Sequence, residues 1–222
     1  MCVIISKEKG KKLPSKEFLY NCFKKNPDGS GFMYEFEHEV YIEKGFMDFD
    51  SLYNRLKELD SQINLQTHSL VMHFRISTSG KVDKENCHPY PITQNIDLMR
   101  ETFLKTKDIA FCHNGIIRNY QSHDKIHNDT QTFGVNVLSV FKEHYPKFYE
   151  DKNVLKMLNL LAQSKLCFLD SEGKITYVGD FQKYRGMKCS NLYFIKPKYT
   201  YPSYDYRYGT SRTSQGQYRL FK

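Results

Sequence analysis

The stretch GFMYEFEHEVYI, residues 31–42, decides the fold class. Two runs rich in aromatic and β-branched residues, 31–36 and 39–42, are separated only by Glu37-His38, close enough to pair as a hairpin. Upstream, Asn26-Pro27-Asp28-Gly29-Ser30-Gly31 breaks the chain, and residues 16–23 put Phe18, Leu19, Cys22 and Phe23 on one helical face. Residues 2–5 form a short apolar run suited to a buried strand. Downstream, Asp50 or Ser51 can cap a helix in which Leu52, Leu56, Leu59 and Ile63 recur at spacings that make a core-facing stripe.

Further along, residues 69–76 read as a strand with His73 and Arg75 on one face, ended by Ser77-Thr78-Ser79-Gly80. Residues 109–112 predict another strand, stopped by His113-Asn114-Gly115. Residues 130–145 predict a helix with Phe133, Val137, Val140 and Phe141 on one face, and 154–161 a second. Runs 166–169 and 174–178 flank Asp170-Ser171-Glu172-Gly173 as a hairpin, and 192–195 supply a last strand. Hairpins with helices inserted between them predict an α+β fold dominated by antiparallel sheets.

At 222 residues, 40% hydrophobic and 26% charged, the chain can bury roughly 70% of its unfolded surface, enough for one domain. The expected division is a domain over 1–196 and a tail over 197–222. Lys198, Arg207, Arg212, Arg219 and Lys222 against Asp205 put half of the net charge of +8 in that last stretch, beside six tyrosines among Gly, Ser and Thr. Such a composition predicts a flexible tail. No window holds the ~18 apolar residues of a membrane span. Met1-Cys2-Val3-Ile4-Ile5-Ser6-Lys7 lacks the basic lead-in of a signal peptide, so a cytoplasmic protein with its six cysteines reduced is expected, and no membrane partner.

Cys2 is the first residue with chemical promise. Removal of Met1 would leave a thiol and a free α-amine on one residue, with ordinary pKa values of about 8.5 and about 7.7 to 8.0, so the amine could serve as base for its own nucleophile. Alone, a small buried residue starting a strand is the simpler reading. Three further segments change that: Asn26-Pro-Asp-Gly-Ser-Gly31; His73-Phe-Arg-Ile-Ser-Thr-Ser-Gly80 with Asn86-Cys-His-Pro89; and His113-Asn-Gly115 followed by Asn128-Asp-Thr-Gln131.

In order and spacing from Cys2, these segments resemble the class II glutamine amidotransferases, N-terminal-nucleophile hydrolases with a D-G-x-G turn, an H-x-R-x-[ST]-[ST]-x-G strand end, H-P, N-G and S-D-[ST]-E. The resemblance covers about residues 2–196, with Ser190-Asn191-Leu-Tyr193 at its end. It implies a four-layer αββα sandwich and no cofactor. Cys2 would attack the side-chain amide of glutamine, form a γ-glutamyl thioester and release ammonia. Asn114 and Gly115 would donate to the oxyanion, Arg75 would bind the α-carboxylate and Asp129 the α-ammonium. Ser77 and Thr78 would add contacts to substrate.

The sequence departs from the pattern in two places. Asn128-Asp129-Thr130-Gln131 keeps the aspartate but replaces the flanking serine and acid, and Ile116 and Arg118 follow Asn114-Gly115 where many members place an acid or a polar residue and an asparagine. The family uses no Cys–His pair, so His73, His88 and His113 are expected to be hydrogen-bonded scaffold residues. A zinc site from Cys87-His88 and Cys112-His113 is disfavoured, because adjacent side chains in a strand point to opposite faces.

Three functions stay open on sequence alone. One is glutamine hydrolysis feeding ammonia to an acceptor on a separate acceptor-binding or synthetase subunit, since residues 197–222 are too few to bind and activate one. The second is a stand-alone hydrolase of other γ-glutamyl amides, which present the same α-amino-acid end. The third is a non-catalytic domain that binds a protein partner or nucleic acid through its Tyr/Arg tail. Nucleic acid is the weakest of these partners, because the tail carries no RRM, KH or zinc-finger pattern.

Overall fold

The computed structural model describes residues 1–77, 81–122 and 126–195. Thr78, Ser79 and the segment 197–222 therefore lie outside the described residues, as does the domain boundary at 196. In chain order the main elements are β1 (Val3–Lys7), α1 (Lys16–Lys25), β2 (Ser30–Phe36), β3 (Glu39–Phe46), α2 (Phe49–Ile63), β4 (Leu70–Phe74), β5 (Tyr90–Pro91), β6 (Phe103–Thr106) and β7 (Ile109–Asn114). They continue with α3 (Asp129–Phe133), α4 (Ser139–His144), α5 (Lys152–Ala162), β8 (Lys165–Asp170), β9 (Ile175–Val178), β10 (Gln182–Tyr184) and β11 (Met187–Cys189). Among the described residues no helix is long and apolar enough to cross a membrane.

The strands form two antiparallel sheets, one ordered β10-β11-β1-β4-β2-β3-β6 and one ordered β5-β7-β8-β9. Strand alternation sorts their side chains into layers. Val3 and Ile5 face α1 and α2 in a core with Phe18, Leu19, Leu52 and Leu56. Ile4 faces the other way, onto Ala110, Cys112 and Cys167 of the second sheet. Phe111 and Phe168 point out of that second sheet onto Phe133, Leu138 and Leu158 of the remaining helical layer. The result is the Ntn-hydrolase-like αββα sandwich, three apolar interfaces thick.

The hairpin at 31–42 pairs Tyr34 with Tyr41 and Phe36 with Glu39, and Glu37 and His38 both take positive φ (50° and 60°), the backbone a tight two-residue turn requires. Several boundaries differ from the sequence expectation. The second helix is capped by Asp48, whose carboxylate accepts the Ser51 N–H at 2.8 Å, rather than by Asp50 or Ser51. Strand β7 continues through His113 and Asn114 instead of stopping there, because β8 pairs with it as far as Asn114–Lys165.

The helix expected over 130–145 contains a π-turn at Gly134–Leu138. The extra residue in that turn rotates the following face, so Leu138 is buried and Val140, expected inside, is 45% exposed. Residues 192–195 form a turn, closed by the Ile195 N–H on the Leu192 carbonyl, and not the expected strand. The closing strands are instead β10 and β11, which return to pair with β1 through Ile5–Cys189.

Candidate active site

Alternation along β1 puts Cys2 on the side of Ile4, at the end of the strand and between the sheets. Its neighbour strand β4 pairs Val3 with Phe74, so Arg75 and Ile76 run beside it. The sulfur lies 3.3 Å from both the Ile76 N–H, which donates to it, and the Ile76 carbonyl, which accepts from it. Burial raises the thiol pKa above its ordinary value, opposed by the Ile76 N–H, the N-terminal charge and Arg75. On its other side the Cys2 carbonyl accepts from the Asn191 side-chain amide at 2.7 Å.

Arg75 is buried, and its Nη2 donates to Ser77 Oγ at 3.1 Å and to the Lys81 carbonyl at 3.0 Å. The segment carrying it is clasped by the glycine turn: the Asp28 N–H donates to the Arg75 carbonyl at 3.0 Å and the Arg75 N–H to the Gly29 carbonyl at 2.8 Å. Asp28 Oδ2 accepts the Ser77 N–H at 2.8 Å. Gly29 has φ of +112° and a Cβ there would strike Cys87 Sγ, while one at Gly31 would collide with the His88 carbonyl. Only glycine permits this approach.

Asn114 ends β7 on the inter-sheet side, shared with Ala110 and Cys112. Its Nδ2 donates to Ser190 Oγ at 2.7 Å, and Ser190 Oγ also accepts the Ile4 N–H at 2.8 Å. Strand β1 and the asparagine amide therefore meet at one hydroxyl. Gly115 follows with φ of +148°, and a Cβ there would come within 2.5 Å of Ser164 Cβ.

Asp129 is buried at the first position of α3 and holds the loop after Gly115: its Oδ2 accepts the Ile117 N–H at 2.6 Å, and its Oδ1 the Thr130 N–H at 2.9 Å. The helix cap is Asn128. Asn128 Oδ1 accepts the Gln131 N–H at 3.0 Å while Gln131 Oε1 accepts the Asn128 N–H at 2.9 Å, a capping box. The substitutions flanking the aspartate thus keep its support, since Asn and Gln supply the same acceptors as Ser and Glu. Asn128 Nδ2 also donates to the buried Tyr90 hydroxyl at 2.7 Å.

The three histidines are buried scaffold. Ser164 Oγ donates to the Ala162 carbonyl, so it accepts from His113 Nε2–H at 2.7 Å, leaving Nδ1 to accept from the Thr130 hydroxyl at 2.8 Å. His73 Nε2 lies 3.1 Å from the His113 carbonyl and must be its donor; the same proton faces His88 Nδ1 at 2.8 Å. Burial lowers all three pKa values, to about 3 for His73, to about 4 for His113 and well below the ordinary range for His88; neighbouring cationic groups such as Arg75 add to the lowering at His73 and His88, while the Asp129 carboxylate opposes it at His113. His113 ties the helix bearing Asp129 to the Ser164 loop that walls in Gly115. Among the described residues no group of three His, Cys, Asp or Glu is placed to hold a metal ion.

Of the residues singled out in the sequence, Cys2, Arg75 and Ser77 share one strand-end cluster, while Asn114 joins strand β1 through Ser190. Asp129 reaches that region through the backbone of Ile117. The sequence did not reveal Asp28 as the clasp of Arg75, nor the contacts of Ser190 and Asn191. Their one visible signal was position: they stand in motifs that resembled the family yet had no assigned chemistry.

The two antiparallel sheets between helical layers define a protein of the Ntn-hydrolase-like class. A sequence model of the glutamine amidotransferases class-II matches residues 20–164. The chain belongs to that family and is a class II glutamine amidotransferase or amidohydrolase. The matched segment contains Asp28, Arg75, Asn114, Gly115 and Asp129, with Cys2, Ser190 and Asn191 outside it. No curated protein matches the chain.

Proposed function

We propose that the chain hydrolyses the side-chain amide of glutamine through Cys2, exposed as the N-terminal residue by removal of Met1. The freed α-amine takes the thiol proton, and the sulfur attacks the amide carbon. Negative charge moves to the former carbonyl oxygen, where the Asn114 side-chain N–H and the Gly115 backbone N–H stabilise it; each such donor is worth about 3 kcal/mol in comparable sites. The C–N bond breaks, the nitrogen takes the proton from the amine, and ammonia leaves a γ-glutamyl thioester. Water then attacks the thioester carbon, passing its proton to the amine. The C–S bond breaks, the thiol is re-formed and glutamate departs.

Arg75 binds the substrate α-carboxylate through its planar fork, and Asp129 the α-ammonium, so free glutamine is preferred to a peptide-bound one. Ser77 orients Arg75. The released ammonia passes to an acceptor on a separate subunit. The observation that carries this reading is the meeting of the Cys2 strand and the Asn114 amide at one buried hydroxyl, with Cys2 and Arg75 each one residue beyond the paired Val3 and Phe74.

The test is intact-mass spectrometry before and after a glutamine-analogue electrophile, with glutamate release measured on glutamine and on a panel of γ-glutamyl amides. Loss of Met1, one adduct on Cys2 and glutamate formation are expected. A processed but unreactive Cys2, or turnover retained by Cys2→Ala, would end this mechanism. Turnover confined to amides other than glutamine would assign the chain the alternative leaving group.

A further inference from the structure

The residues that close the site come from the end of the second half of the chain. Ser190 is fully buried, and its hydroxyl accepts two N–H groups, Ile4 from the nucleophile strand at 2.8 Å and the Asn114 amide at 2.7 Å. Its own N–H donates to the Ile4 carbonyl at 2.9 Å, and its carbonyl accepts from Lys165 Nζ of β8 at 2.5 Å. Asn191 Nδ2 donates to the Cys2 carbonyl at 2.7 Å, and Asn191 Oδ1 accepts the Tyr193 N–H at 3.2 Å. Two consecutive residues thereby touch the nucleophile, its strand and the second sheet.

We propose that Ser190 and Asn191 are positioning residues for the amide hydrolysis: Ser190 aims the Asn114 amide at the oxyanion, and Asn191 fixes the Cys2 backbone beneath the attacking sulfur. The inference rests on the assignment of Cys2 and Asn114 above. A primary amide carries two N–H groups. One is taken by Ser190, and Asn114 Oδ1 is buried without a hydrogen-bond partner among the described residues, so the bond to Ser190 sets the rotation of the whole amide. The second N–H is left for the oxyanion. Such preorganisation counts in the transition state and not in ground-state binding, because the oxyanion exists only there.

A purely structural role would move every property together, whereas positioning moves only the chemical step. In full-length processed protein, Ser190→Ala should lower kcat roughly ten- to hundredfold with KM for glutamine within about twofold, and Asn191→Ala should do the same. Ser190→Thr, which keeps the hydroxyl, should lose less than Ser190→Ala. Affinity for an aldehyde analogue of glutamine, which forms a tetrahedral adduct on the thiol, should fall by the same factor as kcat/KM while glutamate binding stays put. If Ser190→Ala does not fold, Ser190→Cys carries the test, since it fills the same space with a weak acceptor.

Wild-type kcat in these variants, or equal losses in kcat, aldehyde affinity and glutamate binding, would overturn the proposal. Cys2→Ala separates the two levels. If it retains turnover, the assignment of the nucleophile fails; if it is inactive while Ser190→Ala matches wild type, only the positioning role fails.

Discussion

The carboxylate of Asp28 accepts the backbone N–H of Ser77 at 2.8 Å, across 49 residues of sequence. With the paired backbone bonds between Asp28, Gly29 and Arg75, it fastens the glycine turn to the segment that carries the guanidinium. Arg75 in turn donates to Ser77 Oγ. The aspartate of the D-G-x-G turn thus fixes the segment that carries Arg75, and on the function proposed above it would act on substrate recognition at second hand.

That relationship predicts a binding defect for Asp28→Ala. The Ser77 N–H loses its acceptor and Arg75 loses the fixed position of its Ser77 partner, but the oxyanion donors are untouched. KM for glutamine should rise roughly five- to twentyfold with kcat changed less than about threefold, in a steady-state glutamate-release assay. A fall in kcat at constant KM would place Asp28 in the chemistry instead.

Arg75→Lys should weaken glutamine more than retention of charge suggests. The buried guanidinium donates through Nη2 to Ser77 Oγ and the Lys81 carbonyl, and a planar fork of this kind matches a carboxylate. A lysine ammonium is a point charge with three donors and cannot do both in that geometry. Titration of glutamine onto the Cys2→Ala background should show at least about a tenfold loss in affinity, the size of one lost charge-assisted hydrogen bond. Unchanged affinity would remove Arg75 from the site.

The capping box explains why the altered Asn128-Asp129-Thr130-Gln131 segment can still present its aspartate. Asn128→Ala removes the cap and the bond to Tyr90 OH, and should cost about 1 to 2 kcal/mol by urea denaturation, with KM for glutamine raised as Asp129 loosens. The double change Asn128→Ser with Gln131→Glu exchanges one capping box for another and should keep most of that stability. If the double variant is as unstable as Asn128→Ala, the Tyr90 bond rather than the cap holds this corner.

Much of this was legible before any coordinates, and the pattern of what was not has physical causes. The hairpin at 31–42, the helix at α1 and the motif residues are local signals, readable from spacing. The missed strands β5, β6, β10 and β11 have only two to four residues each, too short for alternation to show. The π-turn at Gly134–Leu138 shifts a helical face by one residue, which no fixed period anticipates. Around Cys2 the motif residues can be named from the sequence, but their hydrogen-bond partners cannot. Ser190 lies 186 residues from Ile4 and 76 from Asn114, and only the sheet order brings β11 beside β1.

Acid stability offers a test of the buried histidines. His73 and His113 have folded pKa values lowered to about 3 and to about 4, and His88 is lowered well below its usual value, against about 6.5 in an unfolded chain. Between pH 6.5 and about 4, the unfolded chain therefore binds protons that the folded chain refuses, and stability must fall as pH falls through that window. Each histidine contributes about 1.4 kcal/mol per pH unit once its unfolded form is fully protonated. The urea midpoint should drop steeply between pH 6.5 and 5. His88→Gln keeps an acceptor for His73 Nε2–H but cannot titrate, so its stability should decline with pH less steeply by about one histidine's share. Parallel curves for wild type and His88→Gln would mean that His88 takes up its proton alike in the folded and unfolded states, and that burial does not hold it neutral.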